Sequence, residues 1–174
     1  MTTAAEPAEA TRTLSDSDFL APPAARYFED YLPGSVYEYG RMKVTSEAII
    51  EFARKWDPQP IHIDPEFSAQ GPFGGLIASG LHTTGICMRL FVTHYLSHVA
   101  SLASPGMDEL RWPNPVRPGD LLHLRTTILS VRASQSKPDR GLVHTRAEVF
   151  NQHDEMVLHL LPVNILRRRH GRDG

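Results

Sequence analysis

Apolar residues change their spacing twice along this chain, from every second position to every third or fourth and back again. From Val36 to Val44, Tyr37, Tyr39, Arg41 and Lys43 alternate with Glu38, Gly40, Met42 and Val44, the period of a strand. Thr45-Ser46-Glu47 then opens a helix, with a hydroxyl cap and an acid in the first turn. Ile49, Ala53 and Trp56 form its apolar face. Pro58 ends it, because the residue before a proline is pushed out of helical geometry. Asp64-Pro65-Glu66 marks a second, short helix with Asp64 as cap and Pro65 at its first position. Gly71-Pro72-Phe73-Gly74-Gly75 is a loop. The longest helical pattern follows, with Ile77, Leu81, Thr84, Met88, Phe91, Tyr95 and Val99 recurring every three or four residues and Ser79 as its cap. It predicts a helix from Gly80 to about His98, roughly 28 Å long. With Ile86, Leu90 and Val92 it is apolar around more than half its girth, the mark of a deeply buried helix.

After residue 105 the period returns to two. Met107–Trp112, Leu121–Val131, Leu142–Phe150 and Met156–Leu166 read as strands, and short polar turns join the last three. Pro162 removes a ladder donor, so an edge or a bulge is expected there. Short turns imply antiparallel neighbours. Strands segregated from one buried helix imply an α+β domain, its antiparallel sheet curved around the long central helix. Residues 1–24 are rich in Ala, Thr, Pro and acids without periodicity and read as a flexible N-terminal arm. The domain proper is expected over 25–169, opening with the apolar cluster Tyr27, Phe28, Tyr31 and Leu32. A polar C-terminal end follows at 170–174.

Composition narrows the partners. The 174 residues suit one domain, and 41% hydrophobic with 22% charged residues is the balance of a soluble globular chain. A net charge of −2 gives no global field to recruit nucleic acid or an anionic membrane. No run approaches the ~18 apolar residues of a membrane span. The lone cysteine, Cys87, allows no internal disulfide, which fits a cytoplasmic location.

The candidate chemistry lies in Asp57-Pro58-Gln59-Pro60-Ile61-His62 and in Ala78-Ser79-Gly80. Each proline fixes its own φ and biases its predecessor to extended backbone, so Asp57 and His62 are expected on a stiff, extended hook. A carboxylate and an imidazole near one water can exchange its proton as base and acid. The competing reading makes Asp57 a cap and His62 a satisfied core histidine. Gly80 would open the central helix, where an N–H without an intrahelical partner and the helix dipole suit a developing oxyanion. It could equally be a packing glycine. Ser79 reads as a helix cap, since no Gly-x-Ser-x-Gly elbow surrounds it. Cys87 reads as core. His82, His94 and His98 lack an acid or thiol to complete a metal set, so no metal is expected. Arg111, Arg117 and Arg167–Arg169 are candidates for ligand phosphates.

These residues resemble a known family. Phe52-Ala53 through His62, then Phe73-Gly74-Gly75-Leu76-Ile77-Ala78-Ser79-Gly80 and Pro115-Val116-Arg117-Pro118-Gly119-Asp120, are similar to the MaoC-like dehydratases, which include the (R)-specific enoyl-CoA hydratases. The resemblance spans residues 27–167. It implies the hotdog fold, no metal or organic cofactor, and reversible hydration of a trans-2-enoyl thioester carried by coenzyme A or acyl carrier protein. By that resemblance Asp57 and His62 activate water, the Gly80 N–H holds the thioester oxygen, and Ser79, Phe73 and Gly75 border the substrate. It also implies a homodimer or higher homo-oligomer with the acyl pocket at the subunit interface. Many members carry His-Gly where this chain has Ser79-Gly80. Two other functions stay open at this point: a hotdog thioesterase, and a non-catalytic acyl-CoA binding subunit.

Overall fold

Six strands and four α-helices, two of them short and two of 11 residues, follow one another in the computed structural model, which describes residues 13–15 and 18–169. The strands are β1 (Thr13–Leu14), β2 (Val36–Lys43), β3 (Ser101–Arg111), β4 (Leu121–Ala133), β5 (Arg140–Phe150) and β6 (Met156–Arg167). The helices are α1 (Ser46–Trp56), α2 (Pro60–Ile63), α3 (Pro65–Gln70) and α4 (Gly80–Leu90). One sheet runs in the order β1-β2-β4-β5-β6-β3, antiparallel except for the β1–β2 pair. Hairpin turns explain the β4-β5-β6 run. The passage through α1 to α4 carries the chain from β2 to the far edge, where β3 pairs with β6.

Alternation places Leu122, Leu124, Thr126 and Ile128 of β4 with Val143, Thr145, Ala147 and Val149 of β5 inside. They meet Ile86, Cys87, Leu90 and Phe91, so the sheet packs around α4. Full burial of such an aliphatic side chain contributes about 1.5–3 kcal/mol. At Gly40 the sheet passes close to α4. The Gly40 φ is +76°, and a Cβ there would stand 2.5 Å from Leu90 Cδ2. The β2–β4 register shifts at that point, between Tyr39 and Met42.

Several elements depart from the sequence reading. The central helix ends earlier than His98: α4 stops at Leu90 and a π-helical turn, Phe91–Tyr95, completes it. That wider turn lags the α-helical rotation and returns Tyr95 to the inward side, where it is fully buried. The inward face is therefore Thr83, Ile86, Cys87, Leu90, Phe91 and Tyr95, while Leu81, Met88 and Val92 form an exposed stripe. Trp56 is also exposed, leaving Ile49 and Ala53 as the buried face of α1. The strand expected at Met107 begins at Ser101, because pairing with β6 recruits the preceding residues through register shifts. Pro162 is interior, not at an edge, and the irregularities lie in the β3–β6 pairing around it.

The expected arm, 1–24, falls partly outside the described residues. Of its described part, Phe19 is buried and stacks on Tyr37 with ring centroids 3.8 Å apart. An aromatic ring finds a core contact here without any periodic pattern to announce it. Residues 170–174 lie outside the described residues.

Candidate active site

Asp57 closes α1 as its C-cap, its N–H donating to the Ala53 carbonyl. The segment after it is not the extended hook expected from the two prolines. Pro60 begins the one-turn helix α2, and His62 sits within that turn. Proline at the first helical position forfeits no hydrogen bond, and its fixed φ already suits the helix. The turn bends the chain back, so that His62 Nε2 lies 3.5 Å from Asp57 Oδ2. Asp64 then caps α3, accepting from the N–H groups of Glu66 and Phe67, as its sequence position indicates.

His62 is buried, and its Nδ1 lies 2.9 Å from the Ile77 carbonyl oxygen. A carbonyl only accepts, so Nδ1 carries the proton of the neutral ring and Nε2 offers its lone pair toward Asp57. At 3.5 Å the two atoms do not make a good direct hydrogen bond, and both are within reach of one intervening water.

Ser79 caps α4 by accepting from the Leu81 N–H, and its hydroxyl donates to Asp57 Oδ2 at 2.6 Å. Gln59 Nε2 donates to the other carboxylate oxygen at 2.7 Å. Hydrogen bonds from Ser79 and then Gln59 hold the Asp57 carboxyl below the ordinary carboxylate range. The carboxylate is thus ionised and fixed in direction. Gly80 is the first residue of α4, and its N–H has no intrahelical acceptor.

A cavity of about 230 Å³ brings His62 and Gly80 together with Phe73, Thr83 and the Trp112–Val116 segment. The donation from Ala78 N–H to the Val116 carbonyl pins the approach to α4 against that segment. Arg117 donates from Nη2 to the Phe73 carbonyl and holds the glycine loop at the cavity mouth. Gly75 lies beside Arg117 and does not line the cavity. A larger depression on the outer side of α1, bounded by Glu47, Ile50, Glu51, Arg54 and Lys55, contains no imidazole.

Other candidates go elsewhere. Arg168 and Arg169 pair with Glu29 and Asp30. His82 stacks on Phe52, and burial lowers its pKa. His94 stacks on Tyr39, and His98 bonds to the Val92 carbonyl. Cys87 is buried, its thiol pushed up to about 12 by desolvation. Sequence reasoning missed Gln59, the Ile77 carbonyl, Trp112 and Thr84. Only Gln59 had a local signal, its place between the two prolines; Trp112 and Ile77 reach the cavity through tertiary contacts, and Thr84 meets the Trp112 indole.

Comparison with known proteins gives a consistent neighbourhood. A family model described as MaoC like domain matches residues 30–149. The uncharacterized protein YdeM of Bacillus subtilis is 30% identical, covering 74% of this chain and 90% of that protein. The 3-hydroxyacyl-thioester dehydratase Z of Mycobacterium tuberculosis is 33% identical, covering 61% of this chain and 72% of that protein. Among solved structures, the MaoC-like dehydratase from Rhodospirillum rubrum is 40% identical with a TM-score of 0.77, covering 84% of this chain and 99% of that one. The sheet curved around α4 is the hotdog fold.

Proposed function

This chain belongs to the MaoC-like domain family, and on that premise we propose that it is an acyl-thioester hydratase/dehydratase. It adds water across the C2–C3 double bond of a trans-2-enoyl thioester of coenzyme A or acyl carrier protein, giving an (R)-3-hydroxyacyl thioester, and runs the reverse dehydration. The observation that supports this most is the His62 geometry: Nδ1 is committed to the Ile77 carbonyl, which turns a basic Nε2 toward an ionised Asp57.

The water lies between Asp57 and His62. The pair takes one of its protons as its oxygen bonds to C3. The electron pair of the C2–C3 bond moves toward the thioester, and the charge gathering on the carbonyl oxygen is met by the Gly80 N–H and the start of α4. The proton returns to C2 from the same pair, so one water is consumed and no other group is released. Dehydratase Z, named for action on 3-hydroxyacyl thioesters, favours this class of substrate.

The test is an assay of purified protein with crotonyl-CoA. Loss of the conjugated-enoyl absorbance with formation of 3-hydroxybutyryl-CoA is expected. Asp57→Asn and His62→Gln each lower kcat by about 10²–10⁴, the usual weight of one acid–base group. Free thiol without hydroxyacyl product would make the protein a thioesterase instead. Wild-type turnover in both variants would end the assignment of the pair.

A further inference from the structure

The largest side chain at the cavity mouth takes no part in that chemistry. Trp112 follows β3, and its indole rests on the first turn of α4. A Cβ on Gly80 would stand 2.6 Å from Trp112 Cε2 and 2.7 Å from Cδ2. The space left by the missing side chain of Gly80 is thus filled by this ring. The indole N–H donates to Thr84 Oγ1 at 3.2 Å, and the Thr84 hydroxyl donates to the Gly80 carbonyl at 2.9 Å. Trp112 is therefore tied to α4 at two levels, by its face and by its edge.

The far side of this contact is apolar. Thr84 also borders a small hole of about 10 Å³, closed in by Cys87, Met88, Phe91, Leu160 and Pro162. That is about the space of one water. Trp112 lines the 230 Å³ cavity that contains His62 and Gly80, Thr84 borders the small hole, and the two side chains are hydrogen-bonded to each other. Trp112 has little freedom to swing. Pro113 biases Trp112 to extended backbone. Asn114 donates to the Met156 carbonyl, and the Val116 carbonyl accepts from Ala78.

Trp112 lines the same cavity as His62 and Gly80, so a thioester whose carbonyl meets the Gly80 N–H has the indole beside its acyl chain. We propose that Trp112 is the specificity-determining residue of this site, a fixed wall that admits short 2-enoyl groups and excludes medium-length ones from the space beside α4. The assignment rests on the hydratase reading for the orientation of the substrate.

Two readouts on wild type, Trp112→Ala and Trp112→Leu test it: kcat/KM for crotonyl-CoA and trans-2-octenoyl-CoA, and binding of unreactive butyryl-CoA and octanoyl-CoA by calorimetry. Wild type favours the four-carbon ligand in both. Trp112→Ala frees the volume of the indole and raises the octenoyl-to-crotonyl ratio at least about ten-fold, the scale on which hydrophobic pockets discriminate chain length. Octanoyl-CoA gains on butyryl-CoA in the same sense. Trp112→Leu, which keeps an apolar plug over Gly80, moves both ratios less and replaces the alanine variant if that variant does not fold. Unchanged ratios in a folded variant overturn the proposal. So does a wild type that takes eight carbons as well as four, or one that binds neither acyl-CoA. Length-selective binding that responds to Trp112 without any hydration supports the wall and refutes the hydratase reading alone.

Discussion

Ser79 has two partners, and the sequence disclosed one of them. As a cap it meets the Leu81 N–H, a contact two residues away. Its hydroxyl also donates to Asp57, 22 residues earlier in the chain, and that contact exists only once α1 and α4 are packed together. The donation stabilises the ionised carboxylate, so removing it raises the Asp57 pKa. If ionised Asp57 carries the reaction, Ser79→Ala moves the acid limb of the kcat/KM profile to higher pH, by about one unit for the loss of one charge-assisted hydrogen bond. Ser79→Thr keeps a hydroxyl and leaves the limb nearer its original place. The alanine variant also loses the cap, at a cost of about 1 kcal/mol in a urea melt. A limb that does not move would separate Ser79 from the ionisation of Asp57. Asp57, His62 and Gly80 stood out as candidates because their spacing, prolines and helix-start position are local features. The tautomer of His62 was not, since the Ile77 carbonyl that sets it is 15 residues away.

Among the elements, α4 depends on a residue that carries no pattern. Arg26 is fully buried and donates to the carbonyls of Ala21, His94 and Tyr95, the last two at the end of the helical segment. Its guanidinium lies 3.4 Å from the centre of the Phe19 ring. Burial lowers its pKa, but a guanidinium starts high enough to keep its charge. Positive charge at a helix C-terminus interacts favourably with the negative end of the dipole, and the bond to the Tyr95 carbonyl is buried. Arg26→Leu removes the desolvation cost of the charge but takes this donor from the Ala21 and His94 carbonyls and leaves Tyr95 with the Tyr31 hydroxyl alone; the loss of donors wins. A loss of about 2–4 kcal/mol is expected from urea denaturation. A change within about 0.5 kcal/mol, the range of surface substitutions, would refute this role. Helix periodicity left the inward face of this segment open. Leu81, Met88 and Val92 fit an apolar stripe equally well, and spacing alone does not say which stripe meets the sheet.

For the molecule as a whole, the exposed α4 stripe and the β3 edge of the sheet stand out. β3 pairs with β6 on one side and is the last strand in the order, and most of its side chains are exposed. An unpaired edge beside apolar residues favours association of copies. The expected state in solution is a homodimer, with a light-scattering mass twice the 19.5 kDa of one chain. A single-chain mass at micromolar protein would refute it. No helix among the described residues is long and apolar enough to cross a membrane.

What the sequence determined by itself was whatever depends on near neighbours. Period-two and helical spacing gave the element order, and cap and proline chemistry located the starts of α1, α3 and α4. The motif residues marked where polar chemistry gathers. What only the tertiary structure decided depends on residues far apart in sequence. It chose the inward face of α4, made Pro60 a helix start instead of part of an extended hook, and joined Ser79 to Asp57. It also set Trp112 into the space above Gly80. Those outcomes follow from packing and hydrogen-bond satisfaction across the whole fold, which no local window contains.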